Sequence, residues 1–196
     1  MNQNWNKDRL DWYLLDKKQR SVDVNEYLLL IDYINKIQPK VLIDIGTYKG
    51  TSGYILGTCC DSIENVISID NIDSPDYCEK EETKKEEHGI FLPDGAIFLK
   101  DGYENNLTNL IRNPNETFIF WDAGKNTMKV MDQLKRSYDL KIKHIALHDS
   151  GGVQATVRRA IARAVRFKWY DIIEEDVTSC KEKGVTILEL IELPIT

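Results

Sequence analysis

The chain has 196 residues, of which 42% are hydrophobic and 30% are charged, and its formal net charge is −6. This composition is typical of a globular domain and excludes a disordered chain. The negative net charge argues against a nucleic-acid binder, and no apolar run reaches the roughly 20 residues that cross a bilayer.

The predicted elements alternate between helix and strand along the chain. Asp23 followed by Glu26 is a capping-box pattern, which predicts a helix through Lys36. The short apolar run Val41–Ile45, bounded by Gly46, predicts a buried strand. The further elements predicted in chain order are a helix at Thr51–Thr58, strands at Val66–Ile69, Ala96–Leu99 and Thr117–Trp121, a helix at Thr127–Tyr138, a strand at His144–Leu147 and a helix at Val153–Val165.

The end of the chain breaks this alternation. Trp169–Ile173 and Val185–Glu192 both read as strands, and the polar loop between them carries Gly184 and no helical pattern. Two strands joined by a loop pair in antiparallel fashion, whereas strands joined by helices are parallel. We therefore predict an α/β fold, a doubly wound Rossmann-like sheet of seven mostly parallel strands with a C-terminal antiparallel hairpin. Such a hairpin is unusual in dinucleotide dehydrogenases.

The turn after the first strand carries the strongest functional signal. It reads Asp44-Ile-Gly46-Thr-Tyr48-Lys-Gly50-Thr-Ser52 and lies between a predicted strand and a predicted helix. In a doubly wound sheet this turn lies at the carboxyl edge, where ligands bind. Gly46 allows a tight turn, and Gly50 lets a ligand approach the main chain. Tyr48 replaces the middle glycine of the dinucleotide fingerprint, so the loop argues against a pyrophosphate ligand.

Acidic residues at the strand ends indicate what this loop could bind instead. The carboxylate of Asp44 would repel a pyrophosphate but suits the positively charged amino-acid end of S-adenosylmethionine. Asp70 ends the second strand, where an acid can accept both ribose hydroxyls of a nucleoside. Asp101 and Gly102 follow the third strand and could border the adenine. We therefore predict that these residues and the glycine loop bind S-adenosylmethionine.

A second polar set follows the fourth and fifth strands. Asp122 and Asp149 end neighbouring strands, and two carboxylates with a further oxygen from Ser150 suit Mg²⁺. The alternative is that each acid only caps a loop or the next helix. Lys125, partly desolvated near a metal, could take the proton from a substrate hydroxyl, or it could be an exposed loop lysine. His148 suits the orientation of a neighbour or of substrate better than the binding of Mg²⁺.

The glycine loop resembles motif I of class I S-adenosylmethionine-dependent methyltransferases. Its Tyr48, Gly50 and Ser52 are especially similar to catechol O-methyltransferase and its metal-dependent relatives. The Phe-Ile-Phe-Trp-Asp and Leu-His-Asp segments also resemble a bacterial group near macrocin O-methyltransferase and cephalosporin hydroxylase. Motif I is specific to the whole class.

The resemblance extends to the second polar set. Asp122, Lys125 and Asp149 match the positions that the metal-dependent enzymes use for metal and base, and Ser150 stands where those relatives carry Asn or Asp. The resemblance covers about residues 41–194, which implies a cofactor-binding core there, after an N-terminal helical segment at 1–40, within a single domain over 1–196.

The activity that the resemblance implies is O-methylation of a small hydroxylated acceptor with S-adenosylmethionine and Mg²⁺. Three alternatives stay open: a metal-free methyltransferase with His148 as base, a nucleotide-dependent oxidoreductase, and a non-catalytic binding module on the same fold.

Cysteine use and the N-terminus indicate the compartment. The N-terminus is polar and lacks the pattern of a signal peptide, so we expect a cytoplasmic protein that contacts no membrane and keeps free thiols. Residues 1–40 could cover the substrate or form the contact of a homodimer. The sequence has no C-x-x-C pair among its four cysteines, Cys59, Cys60, Cys78 and Cys180.

Overall fold

The computed structural model describes residues 22–70, 89–100, 103–123, 126–151, 156–177 and 184–191. Its helices are α1 (Val24–Ile37), α2 (Thr51–Cys59), α3 (Tyr103–Leu110), α4 (Thr127–Asp139) and α5 (Thr156–Arg166), and a 3₁₀ turn covers Pro114–Glu116. Its strands are β1 (Val41–Ile45), β2 (Asn65–Ile69), β3 (Ile97–Leu99), β4 (Thr117–Trp121), β5 (His144–His148), β6 (Tyr170–Asp176) and β7 (Val185–Leu190).

The seven strands form one sheet in the order β3-β2-β1-β4-β5-β7-β6. The strands from β3 to β5 pair in parallel, and β7 runs antiparallel to both β5 and β6. Strands β2 and β3 are added on one side of β1, and β4 and β5 are added on the other side. The crevice between β1 and β4 is therefore a topological switch point, where ligands bind in doubly wound sheets. The sheet confirms the predicted fold, including the C-terminal antiparallel hairpin.

The sheet is buried on both faces because helices cover each of them. Along β4, Phe118 and Phe120 belong to one core cluster, while Ile119 and Trp121 belong to the other. Helices α1 and α2 supply the first cluster, and α4 and α5 supply the second. This two-sided burial explains why the parallel strands read as continuous apolar runs.

Helix α1 begins where the capping box predicts. The side chain of Asp23 accepts from the backbone N–H of Asn25, and the carboxylate of Glu26 accepts from the N–H of Asp23. Val22 and Tyr27 are both buried in the same core cluster, in the positions of a hydrophobic staple. The start of α1 is therefore fixed in direction, which places Glu26 against the sheet.

The structure differs from the sequence prediction in a few elements. Helix α3 was not predicted, because Tyr103–Leu110 is mostly polar. Strand β6 extends to Asp176 and has an irregular register between Ile172 and Glu174. The predicted start of the last helix at Val153 and the first part of the N-terminal segment lie outside the described residues. None of the described helices is long and apolar enough to span a membrane.

Candidate active site

The glycine loop forms a tight turn directly after β1. Gly46 has a φ of +89°, and its N–H donates to the carbonyl oxygen of Ile69 at 2.9 Å. A Cβ built on Gly46 would lie 2.4 Å from the carbonyl oxygen of Asp122. Gly50 has a φ of +91° and starts α2, and Tyr48 also has a positive φ, of 49°. Gly46 is thus required both by its backbone conformation and by the close approach of the chain after β4.

Asp70, at the end of β2, faces this loop. Its Oδ2 accepts from the N–H of Tyr48 at 2.6 Å, and the residue is 5% exposed. This bond ties the end of β2 to the glycine loop. It fixes a carboxylate at the place where the sequence predicts an acceptor for ribose hydroxyls.

Asp44 supports the loop from within the protein. Its two carboxylate oxygens accept from Ser52 Oγ at 2.8 Å and from Ser68 Oγ at 3.3 Å. Burial, the largest cause, raises the pKa of Asp44 to about 7, although the hydrogen bond from Ser52 acts in the opposite direction. Asp44 and Ser52 therefore have partners inside the protein, and their predicted contacts with a ligand stay predictions.

The second half of the site brings together Asp122, His148 and Asp149. One ligand atom from each lies within 4.8 Å of the others. His148 Nδ1 is 2.8 Å from Asp122 Oδ1 and 3.7 Å from Asp149 Oδ1. The side chains of Asp122 and Asp149 are 16% and 19% exposed, whereas that of His148 is 2% exposed. The two carboxylates are partly exposed, and the imidazole is buried beside them.

The charges around His148 decide what it can do. Burial by itself would lower the pKa of His148, but Asp122, Glu26 and Asp149 together raise it to about 10. A protonated imidazole has no lone pair for a metal or for a substrate proton. Mg²⁺ prefers oxygen donors, which Asp122 and Asp149 supply, and the orienting role of His148 stays a prediction.

The predicted third oxygen, on Ser150, has a partner across the sheet. Thr186 Oγ1 donates to Ser150 Oγ at 2.7 Å, and the N–H of Ser150 donates to the carbonyl of Gly184. Ser150 is fully buried, and its role as a metal ligand stays a prediction. Lys125, Asp101 and Gly102 lie outside the described residues, so their predicted roles also stay predictions.

Glu26 is the residue that the sequence analysis did not connect with the site. It is 0% exposed, and its Oε2 lies 3.3 Å from His148 Nε2. The capping-box pattern explained Glu26 completely as a helix start, so no remaining signal pointed to a second contact. The structure shows that the same carboxylate serves both.

Solved structures similar to this chain were found, although no family model and no curated protein matches its sequence. Cofactor-bound Rv0187 from MTB has a TM-score of 0.63 at 15% identity, over 93% of this chain and 89% of that chain. SAH-bound Podospora anserina methyltransferase PaMTH1 has a TM-score of 0.63 at 14% identity, over 95% of this chain and 87% of that chain. The O-methyltransferase from Bacillus cereus in complex with SAH has a TM-score of 0.61 at 13% identity, over 93% of this chain and 89% of that chain. At these identities the likeness establishes the fold, which this chain has in common with class I methyltransferases.

Proposed function

We propose that this protein is an S-adenosylmethionine-dependent O-methyltransferase that acts on a small hydroxylated acceptor. The observation that carries the proposal is the meeting of two half-sites at the switch point between β1 and β4. One half is the glycine loop with Asp70, and the other is the cluster of Asp122, His148 and Asp149. Solved structures with this fold include O-methyltransferases bound to SAH.

The first half suits the nucleoside. The amide of Tyr48 holds the carboxylate of Asp70, so the acceptor for the ribose hydroxyls is fixed before a ligand arrives. A Cβ at Gly46 would meet Asp122 and a Cβ at Gly50 would meet Leu92, so both glycines let the loop pack closely against the protein around it. Asp101 and Gly102 are expected to complete this half beside the adenine.

The second half suits the acceptor hydroxyl. Asp122 and Asp149 would hold Mg²⁺, which supplies a Lewis acid that lowers the pKa of a hydroxyl. Lys125 is expected to take the hydroxyl proton, after which the acceptor oxygen forms a bond to the methyl carbon as the methyl–sulfur bond breaks. Holding both partners in line can lower the barrier by about 7–11 kcal/mol. Nδ1 of His148 faces Asp122 and Nε2 faces Glu26 inside the protein, which argues against the alternative in which this residue is the base.

Calorimetry with S-adenosylhomocysteine (SAH) tests the nucleoside half. We expect SAH to bind the wild-type protein, and Asp70→Asn to weaken binding at least tenfold because the ribose loses a charged acceptor. Asp94→Asn is the matched control, since Asp94 is exposed and the charge change is the same. Binding of NADH in place of SAH would favour the oxidoreductase instead.

Binding of Mn²⁺, followed by electron paramagnetic resonance, tests the acceptor half. We expect Asp149→Asn to weaken Mn²⁺ binding at least tenfold and Asp94→Asn to leave it unchanged. Equal Mn²⁺ affinity in all three proteins would remove the metal from the proposal but leave the methyltransferase, which SAH binding tests separately.

A further inference from the structure

Two carboxylates flank the buried imidazole of His148 on opposite sides. Asp122 Oδ1 is 2.8 Å from Nδ1, and Glu26 Oε2 is 3.3 Å from Nε2. The three residues come from the start of α1, the end of β4 and the end of β5. The N-terminal helix thus reaches the candidate active site through one side chain.

Glu26 is more deeply buried than a helix cap requires. It is fully buried, and its Oε1 has no hydrogen-bond partner among the described residues. A buried carboxylate is costly unless a charge or hydrogen bond compensates it. The compensation here is the N–H of Asp23, the N-terminal end of α1 and the imidazole of His148.

The imidazole in turn has little freedom to move. Nδ1 lies at hydrogen-bond distance from Asp122, whereas Nε2 makes an ion-pair contact with Glu26 and has no hydrogen-bond partner among the described residues. Rotation of the ring would break the bond to Asp122 and the contact with Glu26. His148 is also packed beside the ring of Phe120, with the ring centroids 6.4 Å apart. The orientation of His148 therefore depends on Glu26, and the orientation of Asp122 depends on His148.

We infer that Glu26 is a positioning residue of the candidate active site, which acts through His148 to hold the carboxylate of Asp122 in place. The importance of this for methyl transfer rests on the proposed function. The arrangement itself does not, because it is a relation among three side chains.

A pair of variants separates this role from helix capping. Glu26→Gln keeps an acceptor for the N–H of Asp23 but removes the charge facing His148. Asp23→Ala removes the side-chain cap of α1 but keeps the carboxylate of Glu26 in place. If Glu26 only stabilises the helix, Asp23→Ala should disturb His148 at least as much as Glu26→Gln does. If Glu26 positions His148, Glu26→Gln should disturb the imidazole and Asp23→Ala should not.

Nitrogen-15 NMR of the imidazole rings, at one fixed neutral pH, provides the readout. The chain has three histidines, and a His148→Gln protein assigns the signals of His148 by their loss. We expect Glu26→Gln to shift the Nε2 signal of His148 and to broaden or abolish the signal of the proton between Nδ1 and Asp122. Asp23→Ala should leave both signals at their wild-type positions while lowering the melting temperature.

Two results would overturn the inference: wild-type His148 signals in folded Glu26→Gln, or equal changes in the two variants. If Glu26→Gln does not fold, Glu26→Asp replaces it, because its shorter carboxylate retreats from Nε2; unchanged signals in that variant also overturn the inference. Calorimetry with SAH on the same samples keeps the proposed function separate, because SAH binding tests the nucleoside half of the site and the NMR signals test His148. Absence of SAH binding with the expected NMR result would reject the methyltransferase and retain the role of Glu26.

Discussion

At Gly46 the backbone leaves no room for a side chain. A Cβ there would meet the carbonyl oxygen of Asp122 at 2.4 Å, at a φ of +89°. We expect Gly46→Ala to lower the free energy of unfolding by more than the roughly 1–3 kcal/mol of backbone strain alone, since the chain after β4 must also move. Urea denaturation measures the change.

Gly95 provides the matched control for this prediction. It has a φ of +81°, but a Cβ there would meet nothing within 4 Å. Gly95→Ala should therefore cost only the backbone strain. If both variants lose the same free energy of unfolding, the close contact between Gly46 and Asp122 adds nothing to the cost of the Gly46→Ala substitution.

The buried carboxyl of Asp44 makes stability depend on pH. Its folded-state pKa of about 7 is raised from 3.8, so the folded protein holds this proton more tightly than the unfolded chain does. Its contribution to stability is complete below about pH 4 and is lost as the pH rises to about 7. We expect the stability of the wild type relative to Asp44→Asn to fall between about pH 4 and pH 8. Urea denaturation at the two pH values measures this, and a constant difference would contradict it.

At the residue scale, the sequence predicts positions better than it predicts partners. Asp70, Asp122 and Asp149 could be placed because the end of a parallel strand fixes where the next side chain lies. Glu26 could not, since nothing local shows that the start of a helix packs against an imidazole more than a hundred positions later, at His148. The internal partners of Asp44 were hidden for the same reason, because Ser68 belongs to a different strand.

Helix α4 contains a polar side chain inside the core. Gln133 is 3% exposed, and neither of its amide atoms has a hydrogen-bond partner among the described residues. It lines a small cavity whose other residues are mainly apolar, including Ile119 and Leu134. We expect Gln133→Leu to raise the free energy of unfolding by about 1–3 kcal/mol, because it removes an unsatisfied amide.

Lys129→Leu on the same helix is the control for the Gln133 prediction. Lys129 is exposed, so the added apolar side chain gains little burial there. Chemical denaturation of both variants compares them directly. A loss of stability in Gln133→Leu would show that the amide has a partner, such as a buried water.

At the element scale, the apolar pattern predicted the bounds of the buried strands almost to the residue. It predicted the bounds of partly exposed elements less well. β1 and β4 have the predicted bounds because helices cover both of their faces. β6 runs beyond its predicted end because its exposed residues Ile172–Glu175 carry no alternating pattern, and its irregular register cannot be read from composition. Helix α3 was missed because its sequence is mostly polar.

For the molecule as a whole, strand β6 forms one outer edge of the sheet. It lies at the end of the sheet, and Asp171 and Glu174 are exposed along it. Charges on an edge strand prevent pairing with the edge of another molecule. We expect the double change Asp171→Thr and Glu174→Thr to increase concentration-dependent association above that of the wild type.

Light scattering after gel filtration tests this prediction. The double change Asp61→Thr and Asp94→Thr is the control, because both acids are exposed and the change in net charge is equal. If both double variants associate equally, the effect is caused by the change in net charge and not by the loss of charges on strand β6.

The contact between Gly46 and the backbone of Asp122 has a mechanical consequence. Two turns that touch main chain to main chain have no slack between them, because no side chain is present to change its rotamer. Displacement of one turn is passed to the other without a hinge. A ligand that moves the glycine loop is therefore expected to move the backbone at Asp122 with it.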